Sequence, residues 1–149
     1  MFEGEYDRVR MFDLSLCPEV DLMLKHYAKT DYKLLPDISA RVLNTEKLLS
    51  AAEYPQKEGT FTVGVKDGME TVDGVFRVEY GQGKGKVTKL KDGIADITLT
   101  AGTLAQIAYG YRQLDSRSAS YLDGVQINGE CEDFFRAFPQ RPCGVFEHF

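Results

Sequence analysis

Three short runs in the middle of the chain alternate apolar and polar residues with a period of two, and this restricts the fold more than any other feature. Phe61–Lys66 sets Phe, Val and Val against Thr, Gly and Lys, and Val75–Tyr80 and Lys86–Leu90 repeat the pattern across glycine-rich turns. Each reads as a strand with one dry and one wet face, and their closeness predicts consecutive antiparallel pairing. Ala95–Leu99 supplies a fourth strand.

Helical spacing surrounds these strands. Asn44 is a natural N-cap for Thr45–Ala52, where Leu48, Leu49 and Ala52 form an apolar stripe before Pro55. Thr100 or Thr103 caps a helix running to about Tyr111, with Leu104, Ile107, Ala108 and Tyr111 at i, i+3, i+4 and i+7. A last short helix, Glu132–Phe138, turns Phe134, Phe135 and Phe138 toward a core, and Pro139 and Pro142 frame an irregular tail. The expected class is α/β in the α+β sense, a mostly antiparallel sheet of about five strands with helices on one face.

The N-terminal part reads differently. Tyr6–Leu14 alternates like a strand, and Glu19–Lys29 places Val20, Met23, Leu24 and Tyr27 at helical spacing. Pro36 then interrupts the chain, and Asp37–Leu43 alternates again with Ile38, Ala40 and Val42 on one face. The domain boundary is placed there, giving a strand and helix over residues 1–35 and the main domain over 36–149.

A chain of 149 residues is long enough to bury a core without a metal or disulfides. Its net charge of −5 argues against nucleic acid as the main partner, and the one basic island, Lys84, Lys86, Lys89 and Lys91, is local. Cys17, Cys131 and Cys143 form an odd set without a CxxC pair, so spacing gives neither a disulfide framework nor a zinc site, and a reducing cytoplasm fits. No apolar run approaches the ~18 residues of a membrane span, and the first residues lack a signal-peptide pattern.

The chemical motifs are sparse. Gly81-Gln82-Gly83-Lys84-Gly85-Lys86 has the glycines and lysines of a phosphate loop, yet a strand follows it where that loop needs a helix, so it reads as a hairpin turn. His26 and His148 have no partners at catalytic spacing, and His26 reads as a surface or boundary residue. Ser116, Ser118 and Ser120 form no Gly-x-Ser-x-Gly elbow and read as a polar loop, and none of the cysteines carries a nucleophile's local signature. Phe134, Phe135, Phe138 and Phe146 either fill core or line an apolar pocket. The tail Cys143-Gly-Val-Phe-Glu-His-Phe149 ends on a bulky aromatic where most termini are polar, which favours a buried end carrying its α-carboxylate with it.

Ile38-Ser-Ala-Arg-Val-Leu-Asn-Thr-Glu-Lys-Leu-Leu, the meander, then Ala95-Asp-Ile-Thr-Leu-Thr-Ala-Gly-Thr-Leu-Ala-Gln-Ile-Ala-Tyr-Gly, the Phe-rich helix and the aromatic terminus together resemble the C-terminal domain of Eis-like (enhanced intracellular survival) N-acetyltransferases. The resemblance covers about Pro36 to Phe149 and implies a sterol-carrier-protein-like fold. It also implies that residues 1–35 are the end of the second of two preceding GNAT-type domains, so that the chain starts inside a larger architecture.

In such enzymes the first GNAT domain binds acetyl-CoA and supplies a catalytic Tyr, and the last residue's carboxylate enters that site as general base. Carried over, this assigns the carboxylate of Phe149 as catalytic and sets Glu147 and His148 near the substrate; relatives often have an acid where His148 stands. Acetyl-CoA is then bound outside this chain, which is silent alone, holds no metal, and has the GNAT domains, an amine (an aminoglycoside-like compound or lysine) and further copies of itself as partners. Two other readings stand beside this: an apolar-ligand carrier enclosing lipid between sheet and helices, and a structural or oligomerisation domain.

Overall fold

The computed structural model describes residues 40–122, 124–139 and 141. In chain order they form α1 (Thr45–Ala51), β1 (Gly59–Lys66), β2 (Gly74–Gly81), β3 (Lys84–Leu90), β4 (Ile97–Thr100), α2 (Ala101–Ala108), a 3₁₀ turn (Ser118–Tyr121), β5 (Val125–Ile127) and α3 (Glu132–Ala137). The expected strand over Tyr6–Leu14 and helix over Glu19–Lys29 lie outside the described residues.

Local chemistry accounts for the element ends. The Asn44 side chain accepts a hydrogen bond from Lys47 N at 2.8 Å and starts α1. Thr100 does the same for α2, accepting from Thr103 N at 3.2 Å. Between β2 and β3 only Gln82 and Gly83 turn the chain, at φ +52° and +80°, the doubly left-handed backbone of a two-residue hairpin. The glycine-rich motif is therefore a turn.

The sheet has the order β3-β2-β1-β4-β5. β1 with β2, β2 with β3 and β4 with β5 run antiparallel, as expected of a mostly antiparallel sheet, but β4 pairs with β1 in parallel, Val63 opposite Ile97. After the β2–β3 hairpin the chain comes back to the free side of β1 and enters it in the same direction. Alternation reports a strand's period and faces, not its neighbour, so this pairing was invisible in the sequence.

One face of the sheet is dry. Phe61, Val63 and Val65 of β1, Phe76, Val78 and Tyr80 of β2, and Ile97 and Leu99 of β4 are buried on it. Leu49 of α1, Leu104 and Ile107 of α2 and Phe134 of α3 cover them in one continuous core. The opposite face shows Thr60, Arg77, Glu79, Lys86 and Thr88 to solvent. The basic island lies along β3, one edge of the sheet, where lysines oppose edge-to-edge pairing with other chains. Lys89 also donates to Glu70 O at 3.0 Å, with its ammonium 5.5 Å above the Phe76 ring.

Two sequence expectations need correction. Residues 40–44 form no strand: Val42 is buried, but Thr45 N donates to Thr71 O and Thr71 Oγ1 to Leu43 O, so the segment is tied to the 69–73 turn rather than to a sheet edge. The helix expected to reach Tyr111 ends at Ala108, because Gly110 takes φ +79° and its N–H turns back to Ile107 O; Tyr111 is exposed.

β4 reaches only from Val63 to Lys66 of β1, which leaves the N–H groups of Thr60 and Thr62 without a strand partner on that side. Asp133 of α3 and Asp96 before β4 replace it: Asp133 Oδ2 accepts from Thr60 N at 2.9 Å and Asp96 Oδ2 from Thr62 N at 2.7 Å. Asp96→Ala should lower stability by about 1–3 kcal/mol, the cost of stranding a partly buried donor, and Asp96→Asn by less, since it keeps an acceptor. Urea titration of the three proteins checks this, and equal midpoints for Ala and wild type would refute the role.

Candidate functional site

The residues expected to carry function, Glu147, His148 and Phe149, lie outside the described residues, as do His26, Cys17 and Cys143. What the structure describes is the part of the domain that precedes them in the chain. α3 holds it in place by its aromatic side: Phe134 meets Phe61 edge-on at 5.3 Å between ring centroids, and Phe138 lies 5.3 Å from Phe134 and 6.1 Å from Phe61. Tyr54 and Tyr80 stack at 5.2 Å beside them. Five rings thus fill the space between the sheet and α3, and of the two sequence readings for Phe134 and Phe138, core is the one observed.

Polar groups finish this cluster. Tyr54 Oη donates to Leu49 O at 2.7 Å, and Tyr80 Oη to Asp133 O at 3.1 Å. Burial pushes both phenols above their ordinary value; the Tyr80 charge adds to the shift at Tyr54, and the Asp133 carboxylate to that at Tyr80. Asp133 is braced in turn by Arg136, 2.8 Å away.

The remaining candidates are inert. Burial, with the charges of Asp96 and Glu132, pushes the Cys131 thiol up to about 11, and its Sγ donates weakly to Asp96 O and Gly129 O. Ser118 belongs to a turn in which Asp115 accepts from Arg117 N and Ser118 N, and bonds from Ser118 hold that carboxylate below its usual range. Among the described residues no group of His, Cys, Asp and Glu is placed to hold a metal, and no helix is long and apolar enough to cross a membrane.

Among the described residues, two open concavities stand out. One, about 480 Å³, lies on α1 along Asn44, Lys47 and Ser50; the other, about 820 Å³, lies beside the β2–β3 turn along Glu58, Glu79, Lys84, Lys86 and Asp133. Both mix polar and apolar lining, and Tyr80 of the ring cluster forms part of the wall of the second.

Beyond the rings the chain runs through Phe138, which is buried, to Arg141. Arg141 N donates to Gly110 O at 3.1 Å, and its guanidinium donates to Glu53 Oε2 at 3.0 Å and to Glu53 O at 3.4 Å. Sequence reading missed this meeting point, and the signal available was Gly110 itself, a glycine closing a helix.

Residues 45–142 match the sterol carrier protein domain. The chain belongs to that family. In this sterol carrier protein domain the sheet and helices have the fold seen in part of three solved proteins. A GCN5-related N-acetyltransferase from Anabaena variabilis is 24% identical with a TM-score of 0.56, the match covering 69% of this chain and 26% of that one. A conserved Enterococcus faecalis protein of unknown function, described as a probable N-acyltransferase, is 18% identical at TM-score 0.59. A GCN5-related N-acetyltransferase from Kribbella flavida is 16% identical at 0.59; each of these two matches covers 73% of this chain and 28% of the other. At such identities the likeness is one of fold, and this chain spans about a quarter of the length of each. No curated protein matches it.

The ring cluster makes a pH prediction. Both phenols are held neutral, so the stability they contribute is whole below pH 10, the ordinary tyrosine value, and is lost as pH rises through their raised folded-state values. The urea midpoint should fall between pH 8 and pH 11, and fall less in Tyr54→Phe. Equal losses in the two proteins would show that Tyr54 ionisation is not linked to folding.

Proposed function

We propose that this chain is the sterol carrier protein domain of an acetyl-CoA-dependent N-acetyltransferase of the Eis-like type, acting in the cytoplasm. The carrying observation is that its fold recurs as about a quarter of three proteins, two of them called GCN5-related N-acetyltransferases and one a probable N-acyltransferase. On this reading the GNAT portion binds acetyl-CoA and holds the catalytic Tyr, and this domain brings the Phe149 carboxylate to that site. Alone it is inactive.

The chemistry needs a neutral amine. The amine nitrogen attacks the thioester carbonyl, the C–S bond breaks with its electrons leaving on the CoA thiolate, and the nitrogen must lose a proton. A positioned base is worth on the order of 10² to 10⁴ in rate. An α-carboxyl with a pKa of ~3.5 is a weak base in water, so Phe149 acts from a desolvated place, through a water, or by holding the substrate ammonium. Glu147 and His148 stand next to that cation. The acceptor is an aminoglycoside-like amine or a lysine side chain, and the assembly is a homo-oligomer.

The carrier reading fares less well. An enclosed lipid needs room between sheet and helices, and here Tyr54, Phe61, Tyr80, Phe134 and Phe138 occupy it at ring distances of 5.2–6.1 Å. A ligand would have to displace a packed core.

In protein that includes the GNAT portion, removing Phe149 should lower kcat at least a hundredfold while KM for acetyl-CoA and the melting temperature stay unchanged. An unchanged kcat overturns the role of the carboxylate. Saturable uptake of a fluorescent fatty acid by the delipidated chain would favour the carrier instead.

A further inference from the structure

We propose that the free edge of β3 is a docking strip for an extended acidic segment of a partner protein, which joins the sheet as a sixth strand with its carboxylates beside Lys84 and Lys86.

The backbone leaves this edge open. β3 ends the sheet, with β2 on one side only. The two-residue turn at Gln82 and Gly83 makes Gly81 and Lys84 a hydrogen-bonded pair, and bonding then alternates along the ladder. Lys84, Lys86 and Thr88 therefore bond to β2, while Gly85, Val87 and Lys89 point their N–H and C=O groups outward. The same alternation across β2 turns Thr60 and Thr62 of β1 away from it, and theirs are the N–H groups that Asp133 and Asp96 meet. Among the described residues nothing bonds to the outward groups of Gly85, Val87 or Lys89. Residues 54–56 bond to Gln82 and Gly83 at the turn and go no further along β3. The opposite edge, β5, offers only three residues.

Charge decides what fits this edge. Lys84 and Lys86 are exposed on the solvent face, about 7 Å apart, which is the spacing of side chains on one face of a strand. The described ion pairs all use arginine, and Glu79, directly across from Lys86, is taken by Arg77 at 3.6 Å. Both ammonium groups are thus left for an incoming strand. A second copy of the same edge would set lysine against lysine, so like edges repel and an acidic strand is favoured. On the covered face the Tyr54 ring lies over Gly85, and Val87 is half-buried beside α1, which packs on β3. The matching segment alternates acidic and apolar residues.

A polyanion fits less well. Lys89 turns to the covered face over Phe76, so the strand shows only Lys84 and Lys86 to solvent, with Lys91 just past its end. Anionic membranes are recognised by clusters of about 4–8 basic residues. Only a peptide backbone would use the outward N–H and C=O groups.

The test titrates the 149-residue chain with a fluorescein-labelled, end-blocked Glu-Val-Glu-Val-Glu-Val-Glu peptide. It should bind saturably and slow deuterium exchange at the Val87 and Lys89 amides. Methylating the amide nitrogens of alternate residues blocks one edge of the peptide, so one of the two methylated forms should lose at least tenfold in affinity while the other keeps it. The double variants Lys84→Glu/Lys86→Glu and Lys84→Gln/Lys86→Gln, with urea midpoints near that of wild type, should bind about tenfold and severalfold more weakly. No binding at millimolar peptide overturns the proposal, as do equal effects of the two methylation patterns, which would leave only charge attraction. Tighter binding of phosphatidylglycerol vesicles or of a single-stranded oligonucleotide at the same salt overturns it too, and gives the edge another class of partner.

Discussion

The packing of Phe61 against α3 is the contact on which the rest of this domain depends. Phe61 belongs to the central strand, which pairs with β2 on one side and β4 on the other, and its ring touches those of Tyr80, Phe134 and Phe138. α3 is six residues long, far too short to persist by its own hydrogen bonds. It exists because Phe134 and Phe138 are buried, an effect worth roughly 1.5–3 kcal/mol per large apolar side chain. Once seated, α3 carries Asp133 to the open side of β1.

That placement couples the apolar and polar parts of the structure. A strand paired along only part of its length leaves backbone donors without a ladder partner, and where such a donor is partly buried, as at Thr62, leaving it unmet costs more than an ordinary hydrogen bond returns. Asp96 and Asp133 meet two such donors on β1, while Asp96 O also accepts from Asn128 N and Gly129 N and so fixes the approach to α3. The carboxylates that charge counting assigns to a solvated surface are, at these two positions, part of the sheet's hydrogen bonding.

The sequence showed those features that depend on near neighbours. Alternation located β1, β2 and β3, Asn44 and Thr100 announced their helices, and the absence of a helix after Gly81–Lys86 excluded a phosphate loop. Features that depend on distant partners were not legible. Nothing local distinguishes β4 as parallel to β1, or Asp96 and Asp133 from other exposed acids, or Arg41–Asn44 from a strand, since Val42 is buried either way. The same limit applies to Gly110 and Arg141, which are 31 positions apart and which only the fold shows to touch.

The space between the sheet and α3 is filled by packed rings, and the two hollows described above are open to solvent. The buried core extends to Phe138, and three residues later Arg141 still meets the domain, its N–H at Gly110 O and its guanidinium at Glu53. The apolar packing of α3, the carboxylate bonds on β1 and the crossing at Gly110 thus support one another, each joining segments far apart in the chain.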